Sequence, residues 1–274
     1  MEVVTAPTAQ EFLARTAHFR AHEPYLTNVM GSVAMGVIEG RPYESCHWWI
    51  AEESGEVVGA AIRTAPYHAL IVPMRADVNL AIAHAIAEVF PRLPGVSGPV
   101  DQAAAFIDAL QPASTTRQMD EIVYVLQSLR PESAEGSARR TVAEDEDLLT
   151  QWIHEFLVEA GLPQHNPQSD VKRMLDVGWL WEVDRTPVSM CGYAIPVGEA
   201  GHVVGRIGPV YTPKEYRRRG FAGAVTSRAV QQLQTDCDHV MLYADASNPA
   251  SNGVYRRIGF AEYAQTAQFS FQYN

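Results

Sequence analysis

The sequence predicts an α/β (α+β) chain built from two copies of one unit. Three observations carry this expectation. At 274 residues the chain exceeds one compact domain, taking ~150 residues per domain. Runs with strand-like character alternate throughout with helical, apolar-periodic stretches. The order of these elements in the first half recurs in the second, with little residue identity, and self-similarity at domain length reads as duplication.

Composition bounds the classes that remain. Apolar residues make up 47% and charged residues 19%, enough buried surface to offset chain entropy. The formal net charge of -11 opposes nucleic acid and anionic membrane surfaces and favours a cationic substrate such as an amine. No stretch approaches the ~18 apolar residues of a membrane span, and Met1 to Pro7 has neither a basic leader region nor a long apolar run. The expected compartment is the cytoplasm. Cys46, Cys191 and Cys237 show no metal-ligand spacing and no even disulfide framework, so reduced thiols and no metal are expected.

In the first half the pattern gives a short strand at Val3-Val4, helices over Ala9 to Ala21 and Leu26 to Ile38, and strands His47 to Glu52 and Val57 to Thr64 joined at Ser54-Gly55-Glu56. Leu70 to Val72, an alanine-rich helix from Ala76 to Phe90, and Ala103 to Leu110 follow. Pro112 to Thr116 reads as turn material, Ile122 to Leu126 as a strand, and Pro131 to Ser137 is polar and small. The boundary is expected there, near residues 131 to 139, giving domains 1–130 and 139–274.

The second half repeats the order. A strand near Thr141-Val142 precedes helices Glu146 to Ala160 and Ser169 to Asp176, then strands Trp179 to Val183 and Val188 to Pro196. Strand His202 to Tyr211, helix Phe221 to Gln234, strand His239 to Ala244 and helix Ala250 to Ile258 complete it.

The chemistry concentrates after that third strand. Val203 to Tyr211 contains Gly205, Gly208 and Pro209, residues expected where pairing stops or a ligand comes close, although a bulged edge strand reads the same way. Thr212 to Gly223 then leads directly into an apolar-periodic helix. The first turn of a helix leaves N–H groups without partners and carries about half a positive charge, so a phosphate can accept those bonds. Small residues at Gly220, Ala222 and Gly223 allow close approach.

Arg217, Gly220 and Ala222 match a signature of Arg or Gln, two residues, Gly, one residue, then Gly or Ala. Asn248 to Phe260 follows with Asn, Tyr255, Gly259 and Phe260 at matching spacing. In this pair of motifs the chain resembles the GNAT superfamily of N-acetyltransferases, over about residues 140 to 262, and the whole chain is similar to tandem GNAT proteins. The resemblance implies two GNAT-like domains, each a mixed, mostly antiparallel sheet flanked by helices, with the C-terminal copy retaining the acetyl-CoA motifs. It implies that Val210 and Tyr211 pair with the pantetheine arm and that Arg217, Arg218, Arg219, Gly220, Phe221, Ala222 and Gly223 enclose the diphosphate. It also implies Asn248 beside the cofactor, and Tyr255 near its sulfur as the acid that protonates departing thiolate. Asn248 reads equally as a helix cap, and Tyr255 as a core aromatic.

The implied activity is transfer of an acetyl group from acetyl-CoA to a primary amine, by direct attack in a ternary complex. An amine of pKa ~10.4 is protonated at neutral pH, so a base is expected. The superfamily often carries a glutamate on the strand before the loop; His202 to Tyr211 has none, and Asp245 and Glu159 are the substitutes considered. Backbone N–H groups near Val210 and Tyr211 are the implied oxyanion donors. A non-catalytic acetyl-CoA-binding regulatory module is the alternative. The Walker and dinucleotide patterns are absent, against an ATP or GTP site.

In the first half, Ala69 to Asn79 has no glycine and a lone Arg75 where the loop should be, so a second CoA site is not expected there. Trp48, Trp49, Tyr25, Tyr43 and Tyr67 read either as core or as the lining of an acceptor pocket. The acceptor is expected to be a small-molecule or peptide amine, and the chain a monomer or homodimer, the monomer favoured because fused copies satisfy each other.

Overall fold

The computed structural model describes residues 1–162 and 167–274. In chain order the elements are β1 (Glu2–Thr5), α1 (Ala9–His22), α2 (Asn28–Ile38), β2 (Cys46–Glu53), β3 (Glu56–Thr64), β4 (Ala69–Ile71), α3 (Ala76–Val89), β5 (Gly95–Pro99), α4 (Val100–Leu110) and β6 (Ser114–Leu126). There follow β7 (Ser137–Arg140), α5 (Glu146–Glu159), α6 (Gln168–Val177), β8 (Trp179–Val183), β9 (Thr186–Val197), β10 (Val204–Tyr211), α7 (Phe221–Asp236), β11 (His239–Asp245), α8 (Pro249–Ile258) and β12 (Phe260–Gln272).

The chain divides into two units. The first comprises Met1–Val123, Val197–Val203 and Ala264–Asn274; the second comprises Tyr124–Pro196 and Val204–Tyr263. The polar stretch at 131–139, read from composition as a boundary, lies inside the second unit. Composition marks where the chain turns polar, not which core a strand joins.

In the first unit, antiparallel pairing runs from β1 through β4, and β4 and β5 pair in parallel. Thr266 to Ser270 of β12 pair antiparallel with Pro99 to Gly95 of β5. Adjacent residues of β2 face opposite ways: Trp48 and Ile50 join one core with Phe12 and Met30 of the first two helices, whereas Trp49 and Ala51 join another with Ile82 and Phe106 of α3 and α4. Helices therefore cover both faces of the strand, which is why its sequence shows no polar alternation. Trp48 and Trp49 are 3% and 1% exposed, the core reading of that aromatic pair.

In the second unit β7–β8 and β8–β9 are antiparallel and β10–β11 parallel. The mixed, mostly antiparallel sheet expected from the resemblance is thus observed. Both hairpins, β2–β3 and β8–β9, turn through two residues of positive φ, Ser54-Gly55 and Asp184-Arg185, the turn whose twist matches the strands it joins. Each carries a register shift near the end of its first strand. Leu149, Trp152 and Leu157 of α5, Met174 of α6, Leu180, Met190 and Tyr211 form a core cluster. Gly205 of β10 admits α7, since a Cβ there would lie 2.7 Å from Leu233 Cδ2.

Most elements fall within a residue or two of expectation. The strand expected at Thr141-Val142 is instead Ser137–Arg140, because the Thr141 hydroxyl donates to Met174 O at 2.6 Å and its N–H to Gly178 O at 3.2 Å, which takes it out of the strand. Ser114 to Thr116, expected as turn, begin β6, and β5 and β12 lie outside the elements expected from the sequence. Gly95-Val96-Ser97-Gly98-Pro99 has the composition of a loop, and only partner strands make it a strand. No helix among the described residues is long and apolar enough to cross a membrane.

Asp145 anchors the entry to α5. Its carboxylate accepts from both terminal nitrogens of Arg139 at 2.7 and 2.8 Å and from Val142 N–H at 2.9 Å. The hydrogen bond to Arg139 holds its pKa below the ordinary carboxylate value despite burial. The stability this supplies is complete above the unfolded value of about 3.9 and is lost as pH falls through the depressed folded value. Asp145→Asn should therefore cost about 2 kcal/mol at pH 7, less than a fully buried pair because Arg139 keeps partial solvation. Urea unfolding read by tryptophan fluorescence should show the gap from wild type closing below pH 4.

Candidate active site

The parallel ladder between β10 and β11 runs from Val204–His239 to Ile207–Leu242, leaving Gly208 to Tyr211 beyond its end. The Gly208 carbonyl accepts from Arg173 Nη1 at 3.1 Å, and the Tyr211 carbonyl from Ser189 Oγ at 3.0 Å. The Tyr211 ring lies in the α5 core, and its hydroxyl donates to Glu155 Oε2 at 2.9 Å. Only its main chain thus faces the role the motif implies. Val210 is half-buried.

A turn at Lys214–Tyr216 leads to the loop. Arg217 folds back: Nε donates to Thr212 O at 2.8 Å, Nη2 reaches Glu159 Oε2 at 2.5 Å, and the guanidinium stands 5.8 Å from the Tyr211 ring centroid. Arg218 has φ 62 and is exposed. Arg219 pairs with Glu135 at 3.5 Å and stands 4.8 Å from the Phe221 ring centroid. Gly220, at φ 86, caps α7, a conformation a β-carbon makes costly. The first bond of the helix is Ala224 N–H to Gly220 O at 3.0 Å, so the N–H groups of Phe221, Ala222 and Gly223 have no partner within the helix. The Phe221 side chain is buried, leaving its main chain for any ligand.

Asn248 is the N-cap of α8, its Oδ1 accepting from Ser251 N–H at 3.1 Å. The cap reading of this residue is therefore realised, and it engages the only oxygen of the side chain. Tyr255 lies on α8, 9% exposed, with the rings of Tyr124 and Phe260 each 6.2 Å from its own. Burial raises its pKa, with a further push from Cys191, so the phenol holds its proton at ordinary pH. Burial also pushes the Cys191 thiol up to about 12, which keeps it a neutral, non-nucleophilic group.

A protein-family model described as FR47-like protein matches residues 199–269, the stretch holding β10, the glycine loop, α7 and α8. No curated protein matches the chain. Among solved structures, an acetyltransferase of the GNAT family from Colwellia psychrerythraea aligns with a TM-score of 0.63 at 11% identity, over 99% of this chain and 100% of that one. This is a two-unit GNAT-fold chain. The GNAT-fold chain is likewise similar to a tandem GNAT protein from the clavulanic acid biosynthesis pathway, with a TM-score of 0.63, 13% identity and 98% of each chain covered. A GCN5-related N-acetyltransferase from Sphaerobacter thermophilus gives 0.56 at 18% identity, over 98% of this chain and 95% of that one. At such identities the likeness is one of fold.

Two carboxylates of the GNAT-fold chain weighed from sequence are engaged elsewhere. Glu159 pairs with Arg217, and Asp245 Oδ1 accepts from Ser247 N–H at 2.8 Å and Ser247 Oγ at 2.7 Å. Sequence reasoning passed over Glu155, one helical turn before Glu159 and so on the same face of α5; spacing alone could not say which of the two meets the β10 tyrosine. It also passed over Glu132. A Cβ on Gly223 would lie 1.8 Å from Glu132 Oε2, so this carboxylate rests on the first turn of α7, where Arg257 Nε holds its other oxygen at 2.5 Å. Nothing in a polar linker signals that contact.

Proposed function

We propose that the chain is an acetyl-CoA-dependent N-acetyltransferase acting on a primary amine, with its site in the second unit and with the first unit a degenerate GNAT-like domain. The fold suggests acetyl transfer. The observation that carries the finer reading is the junction of β10 and α7, where a strand leaves its ladder after Ile207 and a helix opens on a left-handed glycine, its first three N–H groups having no partner within the helix. Diphosphate oxygens fit such donors, each bond being worth about 1.5–3 kcal/mol.

Bound there, acetyl-CoA would supply an activated thioester to the amine. The main chain of Val210 and Tyr211 aligns the pantetheine arm, and the N–H groups of Phe221, Ala222 and Gly223 take the diphosphate. Gly220 keeps its approach open, since only Ala134 Cβ and Ser133 O lie within 4 Å of a Cβ built there. Arg217 fixes the loop through Thr212 and Glu159, and Arg218 and Arg219 stand at its solvent rim. Asn248 sets the start of α8 and with it the position of Tyr255. Tyr255 gives its proton to the departing thiolate, and Glu155, half-buried beside Tyr211, receives the proton that the amine sheds, directly or through water. Direct transfer agrees with a Cys191 thiol too neutral to carry an acyl group.

Calorimetric titration with acetyl-CoA, followed by an amine screen that detects released thiol, tests the proposal. Micromolar binding with amine-dependent thiol release is expected. Binding without release from any amine would favour the regulatory module, and no binding would overturn both readings.

A further inference from the structure

Arg173, on α6 of the second unit, reaches the sheet where β10 leaves its ladder with β11. One nitrogen, Nη1, donates to the carbonyls of two strands: Tyr193 O of β9 at 2.9 Å and Gly208 O of β10 at 3.1 Å. The other terminal nitrogen, Nη2, donates to Asp170 Oδ1 at 3.0 Å, on the same face of the helix. The Arg173 and Asp170 side chains are 21% and 11% exposed, so these contacts lie largely out of water.

The stretch that Arg173 holds has few means of fixing itself. Gly208 has φ 141 and no atom within 4 Å of where a Cβ would stand, and Pro209 has no N–H to pair across the sheet. Across from it on β9, a Cβ built on Gly192 would strike Met174 Sδ and lie 3.7 Å from Pro209 Cδ, so β9, β10 and α6 pack closely here. Gly208 O shares its donor with a β9 carbonyl, and Tyr211 O accepts from Ser189 Oγ of β9 at 3.0 Å. Carbonyls three residues apart face opposite edges of a regular strand, so β10 bulges between these two. Val210, next to Tyr211, then turns its N–H to the β11 edge, where the ladder has ended.

Two carbonyl dipoles that converge on one point repel each other unless a donor lies between them. A guanidinium meets both while its planar fork stays tied to a carboxylate, which a lysine ammonium does not do. We infer that Arg173, anchored by Asp170, is a positioning residue: by holding the Gly208 carbonyl it sets the bulge and aims the Val210 N–H at the acetyl oxygen of a bound thioester. The inference rests on the acetyl-transfer reading and adds to it the residue that preorganises the oxyanion donor.

Acetyl-CoA isotope-labelled at the acetyl carbonyl carbon, titrated into the full chain and followed by carbon NMR, tests this. In the wild type the bound signal should move downfield of free acetyl-CoA, because a hydrogen bond draws electron density from the carbonyl carbon. Arg173→Met keeps the length and loses the donors. Its bound signal should return to the free position while calorimetric affinity stays at the wild-type level, since the diphosphate is held at α7. Arg173→Lys should lose part of the shift at unchanged affinity, and it decides the matter if Arg173→Met fails to fold. A full wild-type shift in either variant, or shift and affinity lost together in both, would overturn the assignment, the second by making Arg173 merely structural. A wild-type signal at the free position on bound acetyl-CoA would overturn it as well and leave cofactor binding standing. No binding by the wild type would remove the acetyl-transfer reading and this inference with it.

Discussion

Gly220→Glu should abolish measurable acetyl-CoA binding, weakening it by at least ~100-fold in calorimetry. Two physical effects act together. The φ of 86 at Gly220 costs a residue with a β-carbon about 1–2 kcal/mol, which loosens the cap of α7. The new carboxylate also lies beside the N–H groups that are to receive the diphosphate, so it both repels the ligand and competes for its donors. Gly220→Ala separates the two, because it has the strain without the charge. An intermediate loss in Gly220→Ala and a much larger one in Gly220→Glu would mark the loop as the anion site. Equal, small losses in both would remove the diphosphate from this loop.

Tyr255→Phe should lower turnover by roughly 10²-fold while leaving acetyl-CoA affinity nearly unchanged, as expected for a group that acts on the leaving thiolate. The packing supports so clean a substitution. The Tyr255 ring is buried against Tyr124 and Phe260, and phenylalanine retains those contacts while losing only the hydroxyl. Since burial raises the phenol pKa above its ordinary value of about 10, wild-type kcat should hold level through that pH and fall only beyond it. A parallel loss of binding and rate would instead make Tyr255 a core aromatic whose removal disturbs α8.

The residues that define the candidate site were legible because they are local. A strand broken by Gly208 and Pro209, an Arg-and-Gly loop and an apolar-periodic helix sit within 30 residues of one another, and each sets its own geometry through φ preference and unpaired helix donors. The carboxylate near that site was not legible. Glu155 and Glu159 share one face of α5, and the choice between them depends on which meets Tyr211 and which meets Arg217, contacts more than 50 residues apart in sequence.

What the sequence by itself determined is the order of most elements, the Arg-and-Gly loop between strand and helix, and the family resemblance, all of which rest on periodicity and on backbone preferences within one segment. What only the tertiary structure decided is membership: that Thr266 to Ser270 complete the first unit by pairing with β5, that the 197–203 segment joins the same unit, and that Glu132 rests on the first turn of α7. Weak strands and polar linkers have no pattern of their own. Their structure comes from partners distant in sequence, whose hydrogen bonds and packing outweigh local propensity.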